Sequence, residues 1–325
     1  MNQVSFRNLA ISPNSINKFK LIFIRTCVNE KIQQGRSYLD QSIALSNCFF
    51  ARTMNFDGHG GIIYVSGDSY SVFMSFSMIY NSACSSHGGA IYLTAGCSKI
   101  KMICTSKCSS SWYHFAFLRA SQDNEIEYLS MALCSYTQIG YFPLCIANGE
   151  QRLNNNNCSY NNAAYYSCVR FNHPSSFISH FCTFSYNKAS DWICIDFYHE
   201  SASLTYANVI NNQSPSYAVI FVHGGSHKMF YCIFDMNQKN LFNIQSGSLE
   251  VSHSFISHSE YFSIGISVLT HNNNTYKSRD IYDIPFFSSY FCQTAPYSQQ
   301  FSYTSDKVMN FHSFILLSLI IHWFY

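Results

Sequence analysis

Val72-Phe73-Met74-Ser75-Phe76-Ser77-Met78-Ile79 is the stretch of sequence that decides the fold. Its apolar residues recur at every second position, which is the period of a β-strand with one face turned inward. A polar segment containing Asn81 follows, and then a second apolar stretch, Ala90-Ile91-Tyr92-Leu93. The same format is present one segment earlier, in Gly60-Gly61-Ile62-Ile63-Tyr64-Val65. The pattern predicts short strands joined by polar turns.

This format recurs along the chain. When the segments are aligned on the residue that opens each strand, successive openings are separated by 21 to 28 residues. Helical repeats need roughly 33–47 residues with apolar spacings of three or four, and propeller blades need about 40. Neither agrees with the spacing found, and no segment carries the leucine-rich signature. The openings are Phe19, Leu45, Val72, Ile100, Ile126, Leu153, Phe177, Leu204, Lys228 and Leu249.

We therefore predict an all-β fold, a right-handed parallel β-helix of about ten coils, in which each strand pairs with its equivalent one coil onward. Asn and Ser at equivalent turns are expected to stack as ladders, with Asn154–Asn157 and Asn272–Asn274 as turn-rich runs. The solenoid is expected over residues 19–290, without a helix longer than two turns. Residues 1–18 would form an N-terminal cap, 291–307 a linker and 308–325 an apolar tail.

The composition supports a packed core and excludes some partners. Apolar residues make up 47% of the chain and charged residues only 11%, so the chain does not have the composition of a disordered protein. The net charge is +2, without a run of Lys or Arg. Because nucleic-acid binding calls for a basic stripe, we expect no nucleic-acid partner.

The two ends of the sequence bear on localisation. The first apolar run, residues 19–24, contains Lys20 and is followed by Arg25, so it does not form a clear secretory signal. Residues 308–325 are largely apolar and, as a helix, would span about 27 Å, slightly short of a bilayer crossing. The alternatives for this segment are a terminal strand or coil cap, a marginal membrane anchor in a short apolar helix, and part of a longer anchor.

Two short motifs carry a resemblance to a known family. Gly88-Gly89-Ala90-Ile91, and Gly60-Gly61-Ile62-Ile63 with one change, resemble the Gly-Gly-Ala-aliphatic motif of the polymorphic outer membrane proteins. Phe184-Ser-Tyr-Asn187 and Phe234-Asp-Met-Asn237 resemble that family's Phe-x-x-Asn motif, with Cys158-Ser-Tyr-Asn161 as a variant. The resemblance extends over residues 45–273 and is shared in texture by β-helical surface proteins of protozoa.

The resemblance implies a β-helix on a cell surface or associated with a membrane, with a role in adhesion, and implies it by analogy of fold. We accordingly expect a non-enzymatic surface or structural protein. Its partners would be host or cell-surface macromolecules or glycans, and its C-terminal tail provides a route to membrane association. The chain departs from the bacterial family in having one intact Gly-Gly-Ala-Ile and no C-terminal sequence typical of a bacterial membrane barrel.

The alternative function is cleavage of polysaccharide, because many parallel β-helices are lyases or glycoside hydrolases. Asp57-Gly58-His59-Gly60 contains a Gly-His-Gly resembling a motif of the galacturonan hydrolases, and Lys99-Ile100-Lys101 resembles their basic motif. Hydrolysis needs paired carboxylates, which that family draws from aspartates upstream of the Gly-His-Gly. This sequence has no Asp-Asp, and its only aspartates upstream of His59 are Asp40 and Asp57. The other acidic residues do not line up on the repeat, and Asp191, Asp196 and Asp235 are expected as isolated carboxylates on solvated turns. We therefore predict no catalytic residues.

No metal, cofactor or nucleotide site is expected. His223 and His227 flank Gly224-Gly225, which argues against a helix that would bring them together, and His253 and His258 are five apart. No phosphate-binding loop, dinucleotide motif or nucleophile elbow is present. Sequons at Asn157, Asn212 and Asn273 fall in predicted turns and are open to glycosylation if the chain is exported.

The cysteines give the most specific prediction. There are 14, without a Cys-x-x-Cys pair, so neither a zinc site nor a disulfide scaffold is expected. Cys145, Cys168 and Cys194 recur at spacings of 23 and 26, which predicts a ladder of free thiols on three consecutive coils. Three further cysteines each precede a Phe by two residues, so each pair should share a strand face: Cys48, Cys182 and Cys232 with Phe50, Phe184 and Phe234.

Overall fold

The computed structural model confirms the all-β prediction. It describes residues 25–28, 31–32, 36–39, 41–46, 48–55, 58–135, 140–238, 240–257 and 268–274, in which the regular elements are β-strands and every strand pairing is parallel. No helix in these residues has the length and apolarity needed to cross a membrane. The expected cap, linker and apolar tail lie outside the described residues, as do the openings at Phe19 and any C-terminal helix.

The strands form three columns, which we number in the order that the chain visits them in each turn. The corner that follows each column takes that column's number. The first column contains the separate strands Arg36–Leu39, Phe142–Ala147, Tyr166–Asn172 and Ile193–Tyr198. The second contains Arg25–Val28, Ile43–Ser46, Glu150–Asn154, Ser176–His180, Ser203–Thr205 and Val268–Asn272. The third contains Lys31–Ile32, Phe49–Ala51, Asn157–Ser159, Thr183–Ser185, Asn208–Ile210, Ile233–Asp235 and Phe255–Ile256.

Longer strands run through more than one column. Ile63–Tyr80, Ile91–Ser106 and Tyr113–Ala132 continue through all three, and Ala218–Phe230 and Phe242–Ser252 through the first two. Beside the third corner, two small parallel pairs join Met54–Asn55 to Ala83–Cys84 and Asn162–Ala163 to Lys188–Ala189.

Eight complete turns lie between Ile63 and Ile256, fewer than the ten or so expected, and strands of the same columns precede and follow them. The observed strand register also shows which of the predicted strand openings were aligned correctly. Leu45 pairs with Met74, and the same level continues through Ile100, Ile126, Leu153 and then Ser179. The level then runs through Leu204 and Met229 to Val251. The openings chosen at Val72, Phe177 and Leu249 therefore lie two residues early on the same face. Lys228 lies one residue early and is exposed, since its level belongs to Met229.

The second and third corners of the turn are each made by one residue in the left-handed backbone conformation. The third corner uses Arg52, Asn81, Lys107, Leu133, Tyr160, Tyr186, Asn211 and Met236, whose φ angles lie between 51° and 57°. Side chains larger than glycine are uncommon there. A conformation repeated on every turn with such varied side chains is imposed by the stacking of the turns, and the expected preference for Asn is only partly seen.

The residue directly after the third corner builds a continuous buried ladder. Asn161 donates from Nδ2 to Oδ1 of Asn187 at 3.0 Å, and Asn187 and Asn212 each repeat the contact one turn onward, at 3.0 and 3.1 Å. Each Oδ1 also accepts the backbone N–H of the preceding Asn. The ladder consists of Thr53, Ser82, Cys108, Cys134, Asn161, Asn187, Asn212 and Asn237, all buried. The expected stacking of Asn is confirmed here, and it explains the Asn of the Phe-x-x-Asn motif.

The glycines of the other motif are required by close backbone approach. A Cβ on Gly61 would lie 2.2 Å from the carbonyl oxygen of Gly89, one turn onward, and a Cβ on Gly89 would lie 2.2 Å from that of His114. Real Cβ atoms do not come so near. The Gly-Gly-Ala-Ile motif is therefore the sequence of a corner at which successive backbones touch.

The interior of the solenoid is one main apolar core, and part of the cysteine prediction is confirmed there. Cys48, Cys182 and Cys232 are buried in this core together with the Phe two residues after each. The prediction that Cys145, Cys168 and Cys194 form a ladder of free thiols is wrong. Leu144 pairs with Val169, 25 residues onward, so the spacing of 23 from Cys145 to Cys168 is two residues short of a turn, and Cys145 pairs with Arg170.

Cys168 is also not a free thiol, because it forms a disulfide with Cys158 across the core, with a Cα–Cα distance of 6.2 Å. Cys104 is disulfide-bonded as well. Cys145 and Cys194 are free and buried, as predicted. The expectation failed for Cys168 because sequence spacing gives neighbours along a column, whereas Cys158 lies in the third column of one turn and Cys168 in the first column of the following turn.

Candidate functional site

The residues that resembled a hydrolase motif do not assemble. Asp57 lies outside the described residues. His59 belongs to the corner before the first column, where its ring centroid is 4.6 Å from that of Tyr92 and 4.9 Å from that of His87. Lys99 and Lys101 are on the second column instead. The structure therefore places the Gly-His-Gly among stacked aromatic rings, away from the basic motif.

A patch of opposite charges occupies the outer face of the second column, and we call it the charged patch. Its members are Lys99, Lys101, Asp123, Glu125, Glu127, Glu150 and Arg152. Glu125 lies between Lys99 and Lys101 at 2.9 and 3.0 Å. Lys101 also contacts Glu127 at 2.9 Å. Arg152 lies 2.7 Å from Glu150 and 4.0 Å from Asp123.

The prediction that the acidic residues do not line up on the repeat is wrong for the charged patch. Asp123 pairs directly with Glu150 on the next turn, and Glu125 pairs with Arg152. Burial would raise the pKa of Glu125, but hydrogen bonds from Lys99 and Lys101 outweigh it, and the pKa lies below its ordinary value. Burial raises the pKa of Asp123, and Arg152 offsets this only in part. Two neighbouring carboxyl groups are thus shifted in opposite directions.

The expectation of solvated turns holds for Asp191 and is wrong for the other two isolated carboxylates. Asp191 is exposed in a turn, whereas Asp196 and Asp235 lie within strands and are 2% and 7% exposed. Both side chains point away from the core, because the strand neighbours Ile195, Phe197 and Phe234 belong to it. Asp196 has a partner in the preceding turn, Arg170, at 3.4 Å.

Arg170 and Asp196 form the centre of a buried polar cluster on the outer face of the first column. The guanidinium carbon of Arg170 is 4.2 Å from the ring centroid of Tyr198 and 5.2 Å from that of Phe142, so the cation lies against aromatic rings. Burial raises the pKa of Asp196 to about 7, and Arg170 lowers it only in part. Burial raises the pKa of the Cys145 thiol to about 12, which keeps it protonated at neutral pH.

The histidines do not form a metal centre in the described part of the chain, where no group of three or more His, Cys, Asp or Glu is arranged to hold an ion. His227 bonds through Nε2 to the carbonyl oxygen of Gly224 at 2.7 Å, and His223 packs edge-on against His199 at 5.1 Å. His253 stacks on Tyr231, and His258 lies outside the described residues.

Exposed apolar side chains flank the third column on both sides, and we call this surface the aromatic-edged face. One edge consists of the second-corner residues Phe181, Tyr206 and Tyr231, and the other of the third-corner residues Tyr160, Tyr186 and Met236. These six side chains are 37% to 64% exposed. They are six of the ten large apolar side chains that are exposed in the described residues.

The edges are regular because their residues stack turn on turn. The rings of Tyr206 and Phe181 are 5.1 Å apart and 10° from parallel, and those of Tyr206 and Tyr231 are 5.2 Å apart and 9° from parallel. On the opposite edge, Tyr160 and Tyr186 are 4.8 Å apart and 3° from parallel. Since each ring faces its neighbours, the rings present their edges and hydroxyl groups to solvent.

The outer face of the third column forms the floor between the two edges. This floor is polar at one end and apolar at the other. Ser159 and Ser185 form a hydrogen bond of 3.0 Å, and Asn208 donates to Thr183 at 3.4 Å. Further along, Ile210, Ile233 and Phe255 form a small apolar cluster separate from the main core. The floor residues are buried, so a partner would contact the exposed edges.

Sequence reasoning missed this face, although a signal was present. Tyr160 and Tyr186 stand directly before Asn161 and Asn187, and Phe181, Tyr206 and Tyr231 recur 25 residues apart. Large aromatic residues at positions assigned to polar turns indicate exposure, since such turns lie on the surface.

Comparison with protein-family models, with curated proteins and with solved structures finds no match for this chain.

Proposed function

We propose that this protein is a non-enzymatic binding protein that uses its aromatic-edged face to hold a protein partner. The observation that carries the proposal is the exposure of six large apolar side chains on two parallel edges of one face. Contiguous exposed apolar surface marks interaction sites in soluble proteins. Tyr and other aromatic residues, together with Met, are enriched at interfaces, whereas most charged residues are depleted at interface cores.

The chemistry of the face favours recognition by side-chain contact with little charge. Only 11% of the chain is charged, and it has 24 tyrosines. Surfaces that combine Tyr with Ser and Asn offer large rigid contact area and adaptable hydrogen bonds at low entropic cost, as in antibody binding loops. The stacked tyrosines of the two edges are further immobilised by their neighbours, which lowers the entropic cost of binding.

The geometry favours a protein over a glycan as partner. A sugar ring packs best against an open aromatic face, and both faces of Tyr206 are covered, by Phe181 and by Tyr231. Ring edges and hydroxyl groups instead suit apolar side chains and backbone amides of a polypeptide. A cell-surface glycan is the other outcome of the test below.

The test is saturable binding of the fluorescently labelled chain to a panel of intact cells. The Tyr186→Ala/Tyr206→Ala variant removes one ring from each edge and is expected to bind at least ten-fold more weakly, the effect of about 1.4 kcal/mol. Trp112→Ala is the matched control, because Trp112 is a stacked aromatic residue, 42% exposed, at a different corner. Urea unfolding of each variant verifies that it folds.

Three outcomes separate the alternatives. Loss of binding after protease treatment of the cells, with binding kept after glycosidase treatment, supports a protein partner. Loss after glycosidase treatment alone would replace the protein with a glycan. Equal binding by the double variant and the wild type, or no saturable binding to any cell, would contradict the role of the face.

Location at a cell surface or membrane is part of the same proposal. It is supported by the resemblance of Gly88-Gly89-Ala90-Ile91 and Phe184-Ser-Tyr-Asn187 to repeats of polymorphic outer membrane proteins, which are adhesive, and of protozoan β-helix surface proteins. Association through residues 308–325 is tested by locating a tagged chain with and without them. An unchanged soluble distribution of both forms would discard membrane association.

Cleavage of an acidic polysaccharide is the second candidate, and the charged patch favours it. Asp123 and Glu125 have pKa values shifted in opposite directions, which is how paired carboxyl groups divide acid and base roles. Against this, the carboxylates of the patch contact Lys99, Lys101 or Arg152 and leave little free charge. Incubation with polygalacturonate is expected to release no new reducing ends or unsaturated products. Release that is abolished by Asp123→Asn would establish the enzyme.

A further inference from the structure

The three sequons of the chain are not equivalent in the folded protein. Two of the asparagine side chains are buried and committed to hydrogen bonds, and the third is exposed. Since a glycan needs both space and a free amide N–H, the fold itself selects among them.

Asn157 lies in the strand Asn157–Ser159 and is 1% exposed, so the prediction that it occupies a turn is wrong. Its Oδ1 accepts a hydrogen bond from the hydroxyl group of Ser159. A glycan on Asn157 would have to leave through the floor of the aromatic-edged face.

Asn212 is fully buried in the asparagine ladder. Its Nδ2 donates to the carbonyl oxygen of Phe184 at 2.8 Å and to Oδ1 of Asn237 at 3.1 Å, which uses both of its N–H groups. Replacing one hydrogen by a sugar would remove a ladder bond and force a bulky group into the core. A folded chain therefore cannot carry a glycan at Asn212.

Asn273 differs in every respect. It forms a second-corner turn with a φ of 52°, and its side chain is exposed. Its Nδ2 has one described contact, with Nε2 of His253 at 3.3 Å on the surface. We propose that Asn273 is an N-glycosylation site of the folded protein, and that Asn157 and Asn212 stay unmodified in it.

The transfer requires a lipid-diphosphate-linked oligosaccharide as donor. A bond forms between Nδ2 of Asn273 and the anomeric carbon of the first sugar, and the bond from that carbon to the diphosphate oxygen breaks. The lipid diphosphate leaves with the electron pair, and the amide loses one proton. No group is oxidised or reduced. Asn273-Asn274-Thr275 supplies the required sequence.

The position of the glycan has a consequence for binding. Tyr231, His253 and Asn273 are the second-corner residues of three successive turns, and the rings of Tyr231 and His253 lie 5.2 Å apart with a tilt of 33°. A glycan on Asn273 would therefore mark one end of the stacked aromatic edge and limit the length of partner that lies along it.

The experiment is expression of the full chain behind an added secretion signal in a eukaryotic host, followed by isolation of the folded, secreted fraction. Peptide mapping after enzymatic deglycosylation in heavy-oxygen water converts each modified Asn to labelled Asp. Labelling at Asn273, with none at Asn157 or Asn212, is expected. Asn273→Gln and Thr275→Ala should each abolish the endoglycosidase-sensitive gel shift.

An unmodified Asn273, or a glycan at Asn157 or Asn212 in the folded fraction, would overturn the inference. Thr275→Ala leaves Asn273 in place, so it keeps the test valid if the glutamine variant is not secreted. Because the added signal supplies the glycosylating compartment, the result is independent of where the natural chain resides and of the binding proposal.

Discussion

Asn187 donates from Nδ2 to Oδ1 of Asn212, one turn further along the solenoid, at 3.0 Å, and the same Oδ1 accepts the backbone N–H of Asn187 at 3.1 Å. Both residues are fully buried. A ladder of this kind satisfies the backbone groups freed at each corner, which would otherwise be buried without partners. It also fixes the register, because a slip by one residue would remove every Asn from its neighbour.

Replacement of Asn212 by Ala should therefore destabilise the protein by about 3 kcal/mol or more, since several buried polar groups lose their partners at once. Gln213→Ala is the matched control, because Gln213 is the adjacent residue and is exposed; a change within about 0.5 kcal/mol is expected. Urea unfolding followed by circular dichroism measures both. Equal midpoints for the two variants would show that the ladder does not hold the fold together.

The disulfide between Cys158 and Cys168 closes a short loop and should stabilise the chain by about 2–3 kcal/mol through the unfolded state. Reduction of the wild type removes this term. In Cys158→Ala/Cys168→Ala the fall in stability on reduction should be smaller by that amount. Cys194→Ala, which removes a free buried thiol, should leave the effect of reduction unchanged. An equal effect in all three proteins would contradict the pairing.

Asp196 should make stability depend on pH in a direction opposite to that of most carboxylates. Its pKa is about 7 in the folded chain and about 3.9 in an unfolded one. The folded state therefore holds the proton more tightly. The stabilisation is complete below about pH 4 and is lost as the pH rises to 7.

The expected loss for the wild type between about pH 5 and about pH 8 is roughly 2–3 kcal/mol more than for Asp196→Asn, which cannot ionise. Asp191→Asn, at an exposed carboxylate, is the control and should follow the wild type. Urea titrations at several pH values measure the difference. Parallel curves for the wild type and Asp196→Asn would disprove the burial of an ionisable carboxyl group at this position.

Two glycines should respond differently to replacement by Ala. In Gly89→Ala the new Cβ would lie 2.2 Å from one backbone oxygen and 2.3 Å from another, so the turns must separate at a cost of about 3 kcal/mol. In Gly224→Ala the nearest atom is 3.3 Å away, and only the left-handed backbone is strained, by about 1 kcal/mol. Thermal unfolding ranks the two variants. A larger loss for Gly224→Ala would refute the close approach at Gly89.

The sequence was sufficient for the fold class because the period of the solenoid appears directly as spacing along the chain. The alternation after Val72 and the motif at Gly88-Gly89 identify inward residues and a tight corner without knowledge of contacts. The exact register was not available, since insertions at corners shift it by one or two residues. This is why Val72, Phe177, Lys228 and Leu249 were aligned to the wrong level.

Contacts between different columns could not be predicted from the sequence. The Cys158–Cys168 disulfide joins the third column of one turn to the first column of the next, and spacing between repeats does not report it. The charged patch was missed for a different reason. The predicted alignment already placed Ile100, Ile126 and Leu153 on one level, which puts Lys99, Glu125 and Arg152 beside one another, but only the spacing between acidic residues was considered.

The stacking of successive turns in parallel register underlies both the fold and the aromatic-edged face, and photo-oxidative dityrosine cross-linking tests it directly. Tyr206 and Tyr231, and Tyr160 and Tyr186, have ring centroids 5.2 and 4.8 Å apart. Mass spectrometry of the digested protein should find cross-linked peptides that join Tyr206 to Tyr231 and Tyr160 to Tyr186. Cross-links that join Tyr160 to Tyr231, or Tyr186 to Tyr206, in their place would contradict the account.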